Sequence, residues 1–360
     1  MTALASSTTS TVEIHDPRVD PPPDGWTAFR DRLLPPVWDY ELLRREACLA
    51  KNPPVLAVVR RGTRVVGALS VMVCRGWRSR DFAPIPGAGG SGRLRPRWAE
   101  VYLPLLSGYP ACVFDDDVDP AGRRTAIREF ERALRQYLGA GLLGVVYRAM
   151  NPELVPALDG RGRVSREIDP VAVLRNTYAT PEEWESALPP EVRRHLHTDV
   201  ATEAAFGRTD LDPHELAVLL NAHRARQDER AWAGGQRSRV GGLHLDTRSP
   251  IAPGYLDALV RRPDVLTRTY RDGAGRLLGF NTMIDQENGC AVHHWAARPG
   301  AAGGRKGLYV DCYAKCVAHM IAHRRPELTA GRAMLPEKSA LGFGTRSLYS
   351  VAVPRPVLGR

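Results

Sequence analysis

The chain has 360 residues, of which 43% are hydrophobic, 25% charged and 7% aromatic. That is apolar material for about two ordinary domains and too much for a disordered chain. Six scattered cysteines without a CxxC pair exclude a disulfide scaffold and the common zinc fingers, and fit a reducing cytoplasm, the expected location. Lys and Arg outnumber Asp and Glu by 50 to 40, giving a net charge of +10 that suits an anionic partner. Only Lys51, Lys306, Lys315 and Lys338 are lysines, so the excess is one of arginine.

Residues 1–25, rich in Ser, Thr and Pro, read as a disordered tail without the basic start and apolar run of a signal peptide. No run of 18 uncharged apolar residues follows to span a membrane. Residues 55–72, VLAVVRRGTRVVGALSVM, alternate around a Gly turn and predict a β-hairpin. Strands are expected near Trp98 to Leu106 and Ala111 to Phe114. Asp119 and Pro120 are then a good N-cap and first residue for a helix reaching Gly139, with Ile127, Phe130, Leu134 and Leu138 on one stripe. Leu142 to Arg148 predicts another strand.

A boundary falls near Arg175. Beyond it Pro181 to Phe206 reads as one helix with a basic centre, EVRRHLHTD, and Pro213 to Trp232 as a second. Residues 265–284, VLTRTYRDGAGRLLGFNTMI, then repeat the first hairpin's pattern about 210 residues later. A strand from Cys290 to Ala297, a Gly-rich loop from Arg298 to Gly307, a helix from Leu308 to His323 and strands near Thr329 to Leu335 and Ser347 to Val353 complete the second copy. A spacing of more than half the chain points to duplication of a whole fold. The expected domains are 26–175 and 176–360, the latter including connecting helices within 181–232.

This order, hairpin, strand, glycine-rich turn and helix, resembles the GNAT acyltransferase fold. Two copies joined by basic helices are similar to the Fem-type subgroup of aminoacyl-tRNA-dependent transferases and to BioF2-like acetyltransferases. LPEKSALGFGTRSLYSVAV resembles that group's closing pattern. The resemblance implies an α/β (α+β) architecture of two tandem lobes, each a mixed, mostly antiparallel sheet flanked by helices. It implies transfer of an activated acyl group to an amine, best an aminoacyl group from tRNA, with acyl-CoA as the alternative donor and no tightly bound cofactor. The acceptor would be a small-molecule or peptide amine held by the N-terminal lobe. A non-catalytic binding protein on the same duplicated fold is the alternative from another class. The strict [QR]-x-x-G-x-[GA] loop of CoA-binding members is broken at Ala301.

Acyl transfer to an amine needs a neutral nitrogen and a stabilised oxyanion or leaving group. Lys338 is the candidate for the second task and Glu337 for holding or deprotonating the amine. His293 and His294 are candidate bases, sent to opposite faces by strand alternation, and Asp285 is a candidate to orient one of them. Gly303, Gly304, Arg305, Lys306 and Gly307 form a candidate phosphate cradle at a helix start. Arg193, Arg194, Arg224, Arg226, Arg230, Arg237 and Arg239, with Trp232 to stack on a base, are candidate tRNA contacts. No metal site is expected: Cys312, Cys316, His319 and His323 extend too far along one helix to wrap a single ion. The GAGGSG of residues 87–92 lacks the strand-to-helix context of a dinucleotide loop.

Overall fold

The computed structural model describes residues 10–75, 96–103, 109–196, 199–233 and 249–360. The first half contains β1 (Ser10–His15), α1 (Trp26–Leu33), α2 (Tyr40–Leu49), β2 (Pro54–Arg61), β3 (Arg64–Arg75), β4 (Arg97–Val101), a short β5 (Cys112–Phe114), α3 (Pro120–Leu138), β6 (Leu142–Met150), α4 (Val155–Leu158) and β7 (Val164–Arg175). Two short helices follow, α5 (Pro181–Ala187) and α6 (Pro190–Arg193). The second half contains β8 (Ala201–Phe206), α7 (Pro213–Ala233), α8 (Pro253–Val260), β9 (Val265–Arg271), β10 (Leu277–Gln286), β11 (Gly289–Ala297), α9 (Leu308–Ala322), β12 (Glu327–Thr329), α10 (Leu335–Ala340) and β13 (Gly344–Pro354). With β5 set aside, both halves read strand, two helices, three strands, helix, strand, helix, strand.

The strands form one sheet in the order β1-β2-β3-β4-β6-β13-β7-β12-β11-β10-β9-β8, with β5 paired to β3 off this path. The order reads alike from either end, as a pseudo-two-fold requires. At its centre β13 and β7 run antiparallel, and each completes the other half's sheet: β13 pairs with β6, and β7 with β12. Val351 and Val353 of β13 accordingly sit in the first half's core, and Ala172 and Leu174 of β7 in the second half's. The last strands are exchanged, so the fold is a mixed α/β duplication that a cut at residue 175 does not divide into self-sufficient halves.

Several expectations hold. Both hairpins form, with Val55 opposite Val71 and Val265 opposite Ile284. The α3 stripe Ile127, Phe130, Leu134 and Leu138 is at most 2% exposed, each side chain contributing about 1.5–3 kcal/mol of burial. The Asp119 side chain accepts from the Gly122 N–H at 2.7 Å, as an N-cap should.

Others are corrected. Ser10–His15 lies in the stretch read as a loose tail, yet it forms β1 and pairs with β2 from Ser10–Arg61 to His15–Leu56. The alternation of Val12 and Ile14 with Thr11 and Glu13 is what fits it to an edge position. The single helix expected over Pro181 to Phe206 is broken at Pro189-Pro190, which cannot continue it, and its end is the strand β8. The strand expected from Thr329 to Leu335 stops at Thr329. The GAGGSG loop lies outside the described residues.

A candidate active site between the lobes

In the second half the parallel partners β11 and β12 meet at Cys290–Leu328 and Ala291–Thr329 and then part. Past that point β11 bulges. Thr282 of β10 faces His294, and its neighbour Met283 faces Val292, leaving His293 as the extra residue. The bulge cancels alternation over this step. His293 and His294, expected on opposite faces, stack ring on ring at 3.8 Å with 24° between planes. The Thr282 hydroxyl accepts the His294 backbone N–H at 3.1 Å and holds the bulge.

Both rings line a cavity of about 70 Å³ between the lobes. His293 is 8% exposed and His294 2%. His293 Nδ1 and both His294 ring nitrogens have no hydrogen-bond partner among the described residues. Burial pushes the His293 imidazole down to about 3. Burial, then His293 and Arg224, hold His294 well below the usual histidine range. Both are neutral at physiological pH. Unpartnered buried nitrogens cost stability, and at a cavity wall they are free to meet a ligand.

The remaining walls come from both halves. Glu46 of α2 enters from the first half with Leu49, Met72 and Leu103, while Arg224 of α7, Ile251 and Tyr255 of α8 enter from the second. Glu46 makes no hydrogen bond or ion pair among the described residues, and burial pushes its carboxyl up to about 7. Sequence reasoning missed it. The signal lay in the apolar stripe of α2: Leu42, Leu43, Ala47 and Ala50 are buried, and Glu46 falls on the same face, where a helix seated on a core carries another apolar residue.

The expected site residues disperse. Lys338 is 2% exposed, and its Nζ donates to the carbonyls of Ala330, Gly331 (3.3 Å) and Ala333 (2.6 Å). All three ammonium donors are thus engaged in tying down the loop after β12, which corrects the expectation of an oxyanion-stabilising lysine. Burial pushes it down to about 8, with Glu337 opposing. Glu337 itself is exposed on the outer side of α10. Asp285 is not an orienter of the histidine pair. It accepts from Arg325 Nε at 2.7 Å and Nη2 at 3.1 Å, and pairs with His319 at 3.2 Å. Burial raises its carboxyl, but His319 and Arg325 outweigh that and hold it well below the usual range. Asp285, Cys290 and His319 bring ligand-type atoms within 4.8 Å of one another; Arg325 already neutralises the carboxylate there.

The glycine loop also divides. The Ala302, Gly303 and Gly304 N–H groups bond within the turn, to Pro299 O at 2.9 Å, Gly300 O at 3.0 Å and Pro299 O at 3.0 Å. A Cβ on Gly304 would lie 2.0 Å from Arg298 O, so that glycine serves close chain approach. Gly303 and Gly304 are therefore turn residues. Arg305 and Lys306 are exposed, and Gly307, at φ 84°, precedes the first turn of α9; these three remain to meet a phosphate.

Among the arginines, Arg193, Arg194 and Arg230 are exposed. Arg226 Nη2 donates to Ala297 O at 2.7 Å and binds α7 to β11, while Arg224 Nη1 donates to Ser249 O at 3.1 Å at the cavity wall. Those two are corrected from nucleic-acid contacts to internal ones. Arg237 and Arg239 lie outside the described residues, as does the Trp232 side chain. No helix among the described residues is long and apolar enough to cross a membrane.

The topology and the parted strand pair define a duplicated GNAT-type fold with one cleft open, as the sequence led us to expect. No family model and no curated protein matches the chain. Among solved structures it resembles L-PGS from Bacillus licheniformis, with 10% identity over 94% of this chain and 92% of that one and a TM-score of 0.53. It also resembles the C-terminal domain of a protein assigned as a lysylphosphatidylglycerol synthetase from Agrobacterium fabrum, with 12% identity, 87% and 86% coverage and a TM-score of 0.50. FemX is similar too, with 9% identity, 83% and 87% coverage and a TM-score of 0.50. At these identities the likeness is one of fold.

Proposed function

We propose that the protein is an acyltransferase that forms an amide by moving an activated acyl group to an amine. One observation carries this reading: β11 parts from β12 just where a bulge turns two neutral, unpartnered histidines into the interlobe cavity. The donor's acyl arm would lie in the parted strands, and its phosphate at Arg305, Lys306 and Gly307, where the start of α9 favours an anion. The acceptor amine would enter the cavity from the first lobe. Attack is direct, without a covalent intermediate. His293 and His294 would bond the acyl oxygen or the leaving atom as neutral donors.

The first donor is aminoacyl-tRNA. Supporting it are the Fem-type sequence pattern, the fold shared with FemX and L-PGS, and the exposed Arg193, Arg194 and Arg230. Acyl-CoA is the second reading, since the same helix start suits a pyrophosphate. Filter retention of bulk tRNA, charged and uncharged, at rising salt separates them. Retention that falls steeply with salt supports tRNA, because several phosphates release counterions. Absence of retention, with turnover of an acyl-CoA, supports the second donor. Neither retention nor turnover overturns the acyltransferase reading.

A further inference from the structure

We propose that Glu46 is the catalytic base of the transfer, and that the acceptor it serves is a primary amine on a slender aliphatic stem. The proposal rests on the acyl-transfer reading above and deepens it. Glu46 comes from the lobe that does not carry the parted strands, so it gives the first lobe a chemical task at the second lobe's cleft.

The cavity places one carboxyl group among Val37, Leu49, Met72, Leu103 and Ile251, with the histidine pair alongside. An apolar sleeve ending in a single carboxylate matches an alkyl stem ending in an ammonium. The titratable groups facing this space are Tyr255 from α8, Arg224 from α7, His293 and His294 from β11, and Tyr102 beyond β4. Neutral imidazoles do not compensate a carboxylate. Arg224 is bonded to the Ser249 carbonyl and brings fixed positive charge to the wall. A carboxylate left here without a partner is costly, and an arriving ammonium relieves that cost.

The same surroundings drive the proton transfer. Burial has moved Glu46 up to about 7, and desolvation beside Arg224 moves an amine's proton affinity down. As the two converge, a proton passes from the ammonium nitrogen to a Glu46 oxygen. The freed nitrogen lone pair attacks the acyl carbon, forming the C–N bond. The C–O or C–S bond to the donor then breaks, its electron pair leaving with the oxygen or sulfur. That atom takes the second proton shed by nitrogen, and Glu46 returns the first to solvent.

The test compares wild type with Glu46→Gln and Glu46→Asp, using n-propylammonium against n-propanol as binding probes in calorimetry and ¹³C-carboxyl NMR of glutamate-labelled protein. Expected are a wild-type carboxyl titrating near 7 that is missing in Glu46→Gln, a preference for the amine that drops at least tenfold in Glu46→Gln, and partial recovery in Glu46→Asp. Where transfer is measured, kcat/KM rises with pH through about 7 in wild type and this limb is absent in Glu46→Gln. Unchanged amine binding or an unchanged pH profile in a folded Glu46→Gln overturns the proposal while leaving acyl transfer intact. Amine binding that depends on Glu46, without transfer from either donor class, upholds the amine site and overturns the acyltransferase reading.

Discussion

The two parallel strand pairs, β4 with β6 and β11 with β12, occupy equivalent places in the two copies and have opposite fates. The first is zipped, from Arg97–Leu142 to Val101–Tyr147. Its polar groups are paired: Glu100 accepts from Trp98 Nε1 at 3.0 Å and from Arg148 Nη1 at 2.6 Å, and Arg148 lies 4.5 Å over the Tyr102 ring. The second parts after two residue pairs and presents histidines without partners. One copy has closed its cleft and become scaffold; the other keeps a cleft open at a cost in stability. A buried polar group left unsatisfied in an otherwise satisfied fold marks where function resides.

If the first copy is scaffold, damage there should cost folding rather than chemistry, and the largest expected effect is at Glu131. It is fully buried and takes Tyr147 OH at 2.9 Å, both Arg163 amino groups at 2.8 and 2.7 Å, and the Gly359 N–H at 2.8 Å. Glu131→Ala strands Arg163 and should cost about 3–5 kcal/mol in denaturant unfolding, with activity per folded molecule unchanged.

The second copy should behave in reverse. His293→Phe combined with His294→Phe removes orphaned nitrogens, so unfolding free energy holds or rises while transfer falls by about 10². It also changes the acid limb. The folded-state values lie below the unfolded histidine value of about 6.5, so the unfolded chain binds more protons as pH falls. Wild-type stability should therefore decline below pH 6.5, by about 1.4 kcal/mol per pH unit for each histidine until its folded value is reached, about 3 for His293. The double variant should lack this slope. An active double variant with the wild-type acid limb would erase the contrast between the copies.

Lys338 tests whether the open copy's loop is held or reactive. Lys338→Met leaves three carbonyls without their ammonium and should cost about 1–3 kcal/mol. Turnover per folded molecule should stay within twofold, and a loss of turnover without a loss of stability would return Lys338 to the chemistry.

The duplication was legible because it is written in local patterns: the R-[VL]-[VL]-G hairpins, the Asp119-Pro120 cap and the α3 stripe each follow from nearest-neighbour geometry. The exchange of β7 and β13 was not, since nothing in either strand's own residues names its partner. The site was half legible. His293 and His294 stood out by type, but their shared orientation depends on a bulge set by register against Thr282 and Met283, a non-local quantity. Lys338 misled because rarity was taken for reactivity, when three acceptor carbonyls on an adjacent loop explain why a lysine stands there. Glu46 was visible only as a flaw in an apolar stripe, which gains meaning once α2 is known to face the other lobe.

The smallest effect sharpens the comparison most. Glu100→Gln in the zipped pair keeps the shape, and the amide oxygen can still accept from Trp98 or Arg148, so only the charge of the ion pair is lost. Arg148 is about one-third exposed, so solvent screens the change and the cost should be about 1 kcal/mol or less in unfolding. Transfer should be unaltered, because Glu100 is committed to closing the strand pair it sits in. Were Glu100→Gln instead to leave stability untouched and depress turnover, the first copy's cleft would be a working part of the reaction, and the division into scaffold and open cleft would have to be redrawn around Tyr102, which the closed cleft and the interlobe cavity share.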